Sequence, residues 1–504
     1  MRKLLSILIF LSWTVSADAA DISVCTTSDL QNAIASAKPG DDIVMCGREW
    51  RDLDLRFDVN GTASTPITLR SDVPGNTIIT GRSQILMIGS YSIVQGLRFE
   101  DGQAINSAIY MSCNNCRLTE TTIIDFSPAE GTAEFDSYQF YVRVRGKNNR
   151  VDHNFFSGKH GLGMVLHVEV KSDGPERARI DHNYFGHRIR HPSGNGAEAV
   201  KIGEHTTEFF QSGSVVENNY FYRSNGEFEI ISVKASGITL RRNTFDRCEG
   251  ALSLRHGDGS WVDANTFLGH RDASKKVSGI RVNGDNHVIT NNYISGINVG
   301  GSGARGGINL ASGYLTYTEG GRRAAKNILI AFNTIVDSDR SISVDGSNPV
   351  LPSNIVIANN IISSTYGPLI AEDKPINGVT YSKNIAHGSS LGVASNGFIV
   401  ADPGLILSNG FHRISNTSPA LDAADSSYTP QSRMGSSAPF IDSEGQTRTG
   451  SYDIGADEYI GGVGSGHTVS CDTGPRTYNP TLTSNCLVTQ QASPMPPTLL
   501  TASP

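Results

Sequence analysis

A six-residue phrase built around one asparagine recurs nine times: VDHNFF at Asn154, IDHNYF at Asn183, VENNYF at Asn219, LRRNTF at Asn243, VDANTF at Asn265, ITNNYI at Asn292, IAFNTI at Asn333, IANNII at Asn360 and YSKNIA at Asn384. The spacings are 29, 36, 24, 22, 27, 41, 27 and 24 residues. A minimum of 22 to 24 with occasional excess is the period of a solenoid coil made of three short strands, with insertions placed in its turns. In each phrase apolar residues two apart flank a polar position, as in a strand that enters and leaves a bend. Asparagine tolerates the left-handed conformation such a bend requires, and identical asparagines stacked coil on coil can hydrogen-bond into a ladder. The pattern predicts an all-β chain, a single-stranded right-handed parallel β-helix. Sandwiches and propellers would show other repeat lengths and more frequent hairpin turns.

Solenoids need covered ends. SDLQNAIASAKPG places Leu30, Ile34 and Ala37 at helical spacing before Pro39 and Gly40, which predicts an N-terminal capping helix. At the other end YDIGADEYIG, residues 452–461, closes the patterned region. The expected division is a leader over 1–20, the β-helix over 21–460 and a Gly/Ser/Thr/Pro-rich flexible tail over 461–504. The leader MRKLLSILIFLSWTVSADAA has basic Arg2 and Lys3, an apolar run to Val15, and small Ala17 and Ala19 near a cut at Ala19 or Ala20. That is the layout of a secretory signal peptide and predicts an exported protein, periplasmic or secreted. No later segment approaches the roughly 20 apolar residues of a membrane helix.

An exported chain with seven cysteines permits disulfides, and proximity suggests Cys25 with Cys46 and Cys471 with Cys486. The CxxC pair Cys113 and Cys116 has no second CxxC or clustered histidine to support a zinc site.

The net charge of −7 argues against a polyanionic partner, but its distribution does not. Residues 141–281 hold 21 of the 42 Lys and Arg, 16 of the 49 Asp and Glu, and nine of the 13 His. A basic groove for an acidic polymer fits that window. Nucleic acid does not suit an exported chain without interleaved aromatic and basic residues.

Within the window, NGEFEIISVKASG (225–237) sets Glu227 and Glu229 into a run of β-branched residues. On a strand the two share a face, and neighbouring carboxylates repel unless a cation lies between them. Carboxylate and amide oxygens suit Ca²⁺, and one coil earlier NGAEAVKIG offers Asn195 and Glu198. Strict alternation sends Lys234 to the opposite face, so the strand must bend between Glu229 and Lys234. Arg255 in ALSLRHGDG follows Lys234 by 21 residues, close to one coil, which predicts that the two are stacked neighbours. A cation near Lys234 disfavours its protonated form, as a lysine base requires.

Together with NTFLGH and SGIRVNGDNHVITNNY, these motifs resemble polysaccharide lyase family 6, the alginate lyases and the dermatan-cleaving chondroitinase B, over roughly residues 21–460. The resemblance implies that Asn195, Glu227 and Glu229 bind Ca²⁺, that Lys234 is the catalytic base and Arg255 the acid, and that His256 and Arg281 contact the sugar chain. Where the family usually has Arg this chain has Lys201, a further expected substrate contact. The implied reaction is β-elimination on an anionic uronate polysaccharide, with alginate expected from SGARGGINLASGYLTYTEGG and the stretch around Arg281. Dermatan sulfate is the alternative substrate, and a noncatalytic polysaccharide-binding solenoid the alternative of another class. An epimerase would need a further proton donor for which no motif is present, and RIDHN, the one pectate-lyase-like phrase, is already part of the asparagine repeat.

Overall fold

The computed structural model describes residues 20–272, 276–300, 305–316, 318–461 and 472–477. Each recurring phrase is two short strands meeting at a corner, as Val215–Glu217 and Tyr220–Tyr222 do around Asn219, and a third strand such as Glu229–Lys234 completes the coil. The strands of successive coils pair in parallel with their equivalents before and after, for example Val215 with Thr239 and Tyr220 with Thr244. The chain is a parallel β-helix, and one of its ladders joins 14 strands.

The core follows from this stacking. Leu166, Val200, Ile231, Leu252, Ile280, Ile308 and Ile342 pair in succession down one inward column and are fully buried. Phe185, Phe221, Phe245 and Phe267 form another, with ring centroids 4.6–4.8 Å apart. β-Branched and aromatic side chains fit these pleated surfaces and pack on copies of themselves.

All nine repeat asparagines are fully buried. The side-chain amide of each donates to the side-chain oxygen of the next at 2.8–3.0 Å, from Asn154 through to Asn384. The left-handed residue, however, is the one before each asparagine: His153, His182, Asn218, Arg242, Ala264, Asn291, Phe332, Asn359 and Lys383 all have φ between 52° and 58°. Glu120, one coil above His153, has φ 53° and begins the same outer column. The preceding residue makes the turn, which leaves the asparagine free to point inward and satisfy backbone groups that burial would otherwise orphan.

At the N-terminus the helix Thr27–Ser36 is capped by the Thr26 side chain, which accepts from the Asp29 amide, and it buries Leu30 and Ala33 against the first coils. Cys25 is disulfide-bonded to Cys46 and Cys113 to Cys116, while Cys248 is free and buried. The expected pair Cys471 and Cys486, the leader over residues 1–19 and most of the tail lie outside the described residues.

The parallel ladders end at Phe398–Val400. The chain then forms an antiparallel hairpin, Leu405–Ser408 with Phe411–Ile414, and folds back along the left-handed corner. Asp425 accepts Asn359's side-chain amide on its carbonyl, Arg448 donates to the Asn291 side chain, and Phe440 packs edge-on against Phe332. Residues 472–477 lie on the same corner much nearer the N-terminus, where the Arg476 amide donates to Glu120 and the Gly474 amide to the His182 carbonyl. Among the described residues no helix is long and apolar enough to cross a membrane.

Candidate active site

The strands Val200–Ile202, Glu229–Lys234, Ala251–His256 and Ile280–Val282 pair in that order on one face of the solenoid. Their outward positions form a polar column, His167, Lys201, Ser232, Ser253, Arg281 and Asn309, between two apolar columns that point inward. The two longest repeat spacings fall around this face: residues 186–199 carry Asn195 and Glu198, and Arg305 lies just before the strand Ile308–Leu310.

The bend required between Glu229 and Lys234 is present as a bulge. Glu229 pairs with Ala251 and Ile231 with Leu252, which leaves Ile230 as an extra, buried residue. One extra residue inverts the alternation downstream, so Glu229, Ser232 and Lys234 share the outer face. The hydroxyls of Ser232 and Ser253 accordingly both donate to the Glu229 carboxylate. A second register shift follows at once, because Val233 pairs with Leu254 but Lys234 with His256. The expected stacking of Lys234 on Arg255 is therefore corrected: Arg255 is the unpaired extra residue of the next strand. Its side chain is thereby aimed into the same face, with Nε 3.8 Å from Glu229 Oε1.

Three carboxylates converge here. Ligand oxygens of Glu198, Glu227 and Glu229 all lie within 4.8 Å of one another. Glu227 and Glu229 meet as the sequence predicts, and Glu198, one coil earlier, joins them from its insertion. Burial, then the charge of Glu198, pushes the Glu227 carboxyl up to about 7. Burial likewise raises Glu198 against the opposing pull of Lys234, whose Nζ stands 4.0 Å away. Glu198 Oε2 is buried with no hydrogen-bond donor. Asn195 sits exposed in the turn just before Glu198, with its backbone oxygen held by the Ser193 hydroxyl. Three crowded carboxylates with an undonated buried oxygen match a hard divalent cation.

The cationic groups ring this cluster. Arg281 Nη1 is 3.6 Å from Glu229 Oε1, and burial draws its guanidinium down to about 10. Burial also lowers the pKa of Arg255. His256 is buried, 3.6 Å from Glu208, and is pushed down to about 3 chiefly by burial and next by Arg255, so it is neutral near pH 7. Lys201 is nearly buried and donates to Glu204 at 2.6 Å, so any role toward a substrate involves that pair.

Two other neighbours were not candidate site residues, although Arg305 lies within the SGARGGINLASGYLTYTEGG stretch. Tyr138 reaches over from an earlier insertion, and its phenol pKa is raised by burial and by Glu198 and Glu227. Its hydroxyl would lie 2.4 Å from a Cβ at Gly196, which has φ +80° and so tolerates no larger residue. Arg305 stacks over Phe228 at 4.2 Å. Only proximity in the fold identifies either residue.

The profile of the chondroitinase B family matches residues 24–418. Among solved structures, the PL6 family alginate lyase AlyGC is 32% identical over 79% of this chain, with a TM-score of 0.74. This chain spans 56% of the length of that enzyme. A mannuronic acid specific polysaccharide family 6 lyase from human gut microbiota is 27% identical, covers 76% of this chain and 92% of its own, and has a TM-score of 0.68. The PL6 family polysaccharide lyase Pedsa3628 from Pseudopedobacter saltans is 26% identical, covers 76% and 94%, and has a TM-score of 0.64. No curated protein sequence matches the chain. With most of its length matched by the family profile and the coil architecture shared, this chain belongs to polysaccharide lyase family 6, the chondroitinase B family.

Proposed function

We propose that the protein is an exported lyase that cleaves alginate by calcium-assisted β-elimination. The observation that carries this reading is the convergence of Lys234 and Arg255, from adjacent coils, beside the three-carboxylate cluster. Alginate is favoured by the likeness to an alginate lyase at 32% identity, and export by the signal-like leader.

Glu198, Glu227 and Glu229, with Asn195 from the adjoining turn, are the residues that would hold Ca²⁺. A bound Ca²⁺ supplies positive charge against the negative charge that develops on the substrate carboxylate when the neighbouring carbon loses its proton. Arg281 adds fixed positive charge on the same face and orients the uronate. Lys234 takes the C5 proton. The electron pair forms the C4–C5 double bond and the C4–O4 bond breaks. Arg255 donates to the departing O4, and its burial favours this role because it lowers the cost of releasing a proton. The neutral His256 can hydrogen-bond a sugar hydroxyl without competing for the carboxylate.

The test is the ultraviolet absorbance of the unsaturated uronate product during incubation with alginate and, separately, dermatan sulfate. Each is run with Ca²⁺, with chelator and with Lys234→Ala. A calcium-dependent rise on alginate that Lys234→Ala abolishes is the expected result. A rise on dermatan sulfate alone transfers the substrate to that polymer, as the family profile's name allows. No rise on either by folded, calcium-loaded protein leaves a noncatalytic binding solenoid.

A further inference from the structure

A second cluster of ligand-type side chains lies outside the active-site sheet, on the left-handed corner. His153 and His182 occupy the same turn position in consecutive coils, and their rings stack with centroids 4.8 Å apart and planes within 7°. Asp472, in the returning C-terminal segment, completes a group whose ligand atoms all lie within 4.8 Å of one another.

The tautomer of both imidazoles is fixed by their neighbours. His153 Nδ1 is 2.8 Å from Asp152 Oδ2, and His182 Nδ1 is 2.8 Å from Asp181 Oδ2. Asp152 is held in a two-point pair by Arg117, and Asp181 by Arg150. A carboxylate paired with arginine only accepts, so Nδ1 of His182 carries the proton and its Nε2 presents a lone pair; at His153 the 2.8 Å contact with Asp152 assigns the same tautomer over the longer 3.3 Å approach of Arg476 Nη2, which would need Nδ1 as acceptor. A histidine whose Nδ1–H is anchored on a carboxylate while Nε2 is bare has the supporting arrangement of a metal-ligating imidazole.

His153 Nε2 also lacks a partner. Its side chain is 4% exposed, Nε2 accepts no hydrogen bond, and the nearest carboxylate oxygen is Asp472 Oδ2 at 3.5 Å. Two imidazole nitrogens and one carboxylate oxygen suit zinc and its neighbours among the divalent transition metals, and they do not suit Ca²⁺. Zinc–nitrogen bonds of about 2.0–2.1 Å require the group to tighten. His182 is 24% exposed and Asp472 50%, so these two have room to move toward the buried His153. Among the described residues of the tail, Arg476 is the cation facing the cluster, 3.5 Å from Asp472 and 3.3 Å from His153 Nδ1. It has a second carboxylate in Glu120 at 3.6 Å, which can keep it neutralised when Asp472 turns to a metal.

We propose that His153, His182 and Asp472 form a zinc-class metal site that clasps the C-terminal segment to the early coils. The site is separate from the carboxylate cluster in position and in donor type, and it does not depend on the proposed reaction.

The experiment uses untagged full-length protein saturated with Ca²⁺ and titrated with Zn²⁺, with Co²⁺ as the spectroscopic probe. The expected result is one Zn²⁺ retained per chain and a visible Co²⁺ spectrum of low coordination number. Both affinities fall at least tenfold in His182→Gln and in Asp472→Asn. Hydrogen exchange across residues 472–477 slows with Zn²⁺ in the wild type and not in Asp472→Asn. Asp472 is on the added segment, so this second variant leaves the β-helix intact even if His182→Gln disturbs its coil. No retained Zn²⁺, Zn²⁺ that excess Ca²⁺ displaces, or Zn²⁺ that survives both substitutions would overturn the proposal.

Discussion

Lys234 and Arg255 stand on opposite sides of a single register shift: Lys234 pairs with His256 in the next coil, and Arg255 is the residue left over. A regular ladder would place every second residue outward and stack like on like. The shift aims one cation from each of two coils at the same three carboxylates. Removing Lys234 should therefore abolish elimination while leaving the ladder intact. Lys234→Ala is expected to lower kcat by about 10²- to 10⁴-fold, the usual contribution of a positioned base, with little change in the thermal midpoint. Arg255→Lys keeps the charge but loses the planar fork. It should also lower kcat, whereas wild-type kcat in that variant would remove Arg255 from the reaction.

Glu198, like Asn195, is a proposed ligand that lies on an insertion and not on the repeated strands. Glu198→Gln keeps its size and removes one charge from the cluster. Calcium affinity measured by calorimetry is expected to fall at least about tenfold. At saturating calcium the folded state gains about 2.7 kcal/mol for each hundredfold excess over Kd. Chelator should therefore lower the wild-type unfolding midpoint by more than that of the variant, the difference reflecting the roughly 1.4 kcal/mol that a tenfold loss of affinity removes.

In the middle of the asparagine ladder, Asn243 accepts from both the backbone and side chain of Asn219 and donates to Asn265 and the Val216 carbonyl. Asn243→Leu leaves several buried groups without those partners, at about 1–3 kcal/mol for each orphaned group. Denaturant titration should show a large fall in midpoint. Asn384, at the end of the ladder, supports one neighbouring asparagine instead of two, so Asn384→Leu should be milder. Equal losses would mean the ladder is not a set of separable bonds.

Asp457 gives a pH signature of its own. Burial, then Glu444 and Asp442, pushes its carboxyl up to about 7. An unfolded aspartate titrates near 3.9. The folded state binds the proton more tightly, so the stability from this group is full below the unfolded value and is lost as pH rises through about 7. Asp457→Asn, which keeps an acceptor for the Ile414 amide, should be more stable than wild type at pH 8. The advantage should shrink as the pH falls toward 4.

The solenoid was legible because Asn219 and its eight counterparts record the coil length directly in their spacing. Which residue takes the left-handed turn was not, because Ala264, Phe332 and Arg242 all fill that position and share no side-chain chemistry. Glu227, Glu229, Lys234 and Arg255 could be picked out by residue type and coil-length separation. Their final geometry rests on Ile230, whose insertion into the ladder inverts the face of everything after it. A bulge at a β-branched residue has no compositional mark. Glu198 was a candidate only by its distance in coils; Tyr138 had no signal, and Arg305 stood in a recognised stretch without a role, because insertions bring both in without periodicity. The pairing of His153 and His182 with Asp472 needs a contact across some 300 residues that no local pattern encodes.

That contact also changes what kind of polymer this is. In a simple stack each coil touches only its neighbours, so either end can fray independently and stability is nearly a sum over nearest neighbours. Here Arg476 reaches Glu120 across 356 residues of chain, and the segments before it lie along Asn291, Phe332 and Asn359. Residues 472–477 dock on coils made much earlier in the chain, and they can do so only once the corner between them is continuous. Such a closing contact has high sequence separation and so forms late. It couples the opening of the coils around Glu120 and His182 to the release of residues 472–477, so units far apart in the chain no longer open independently.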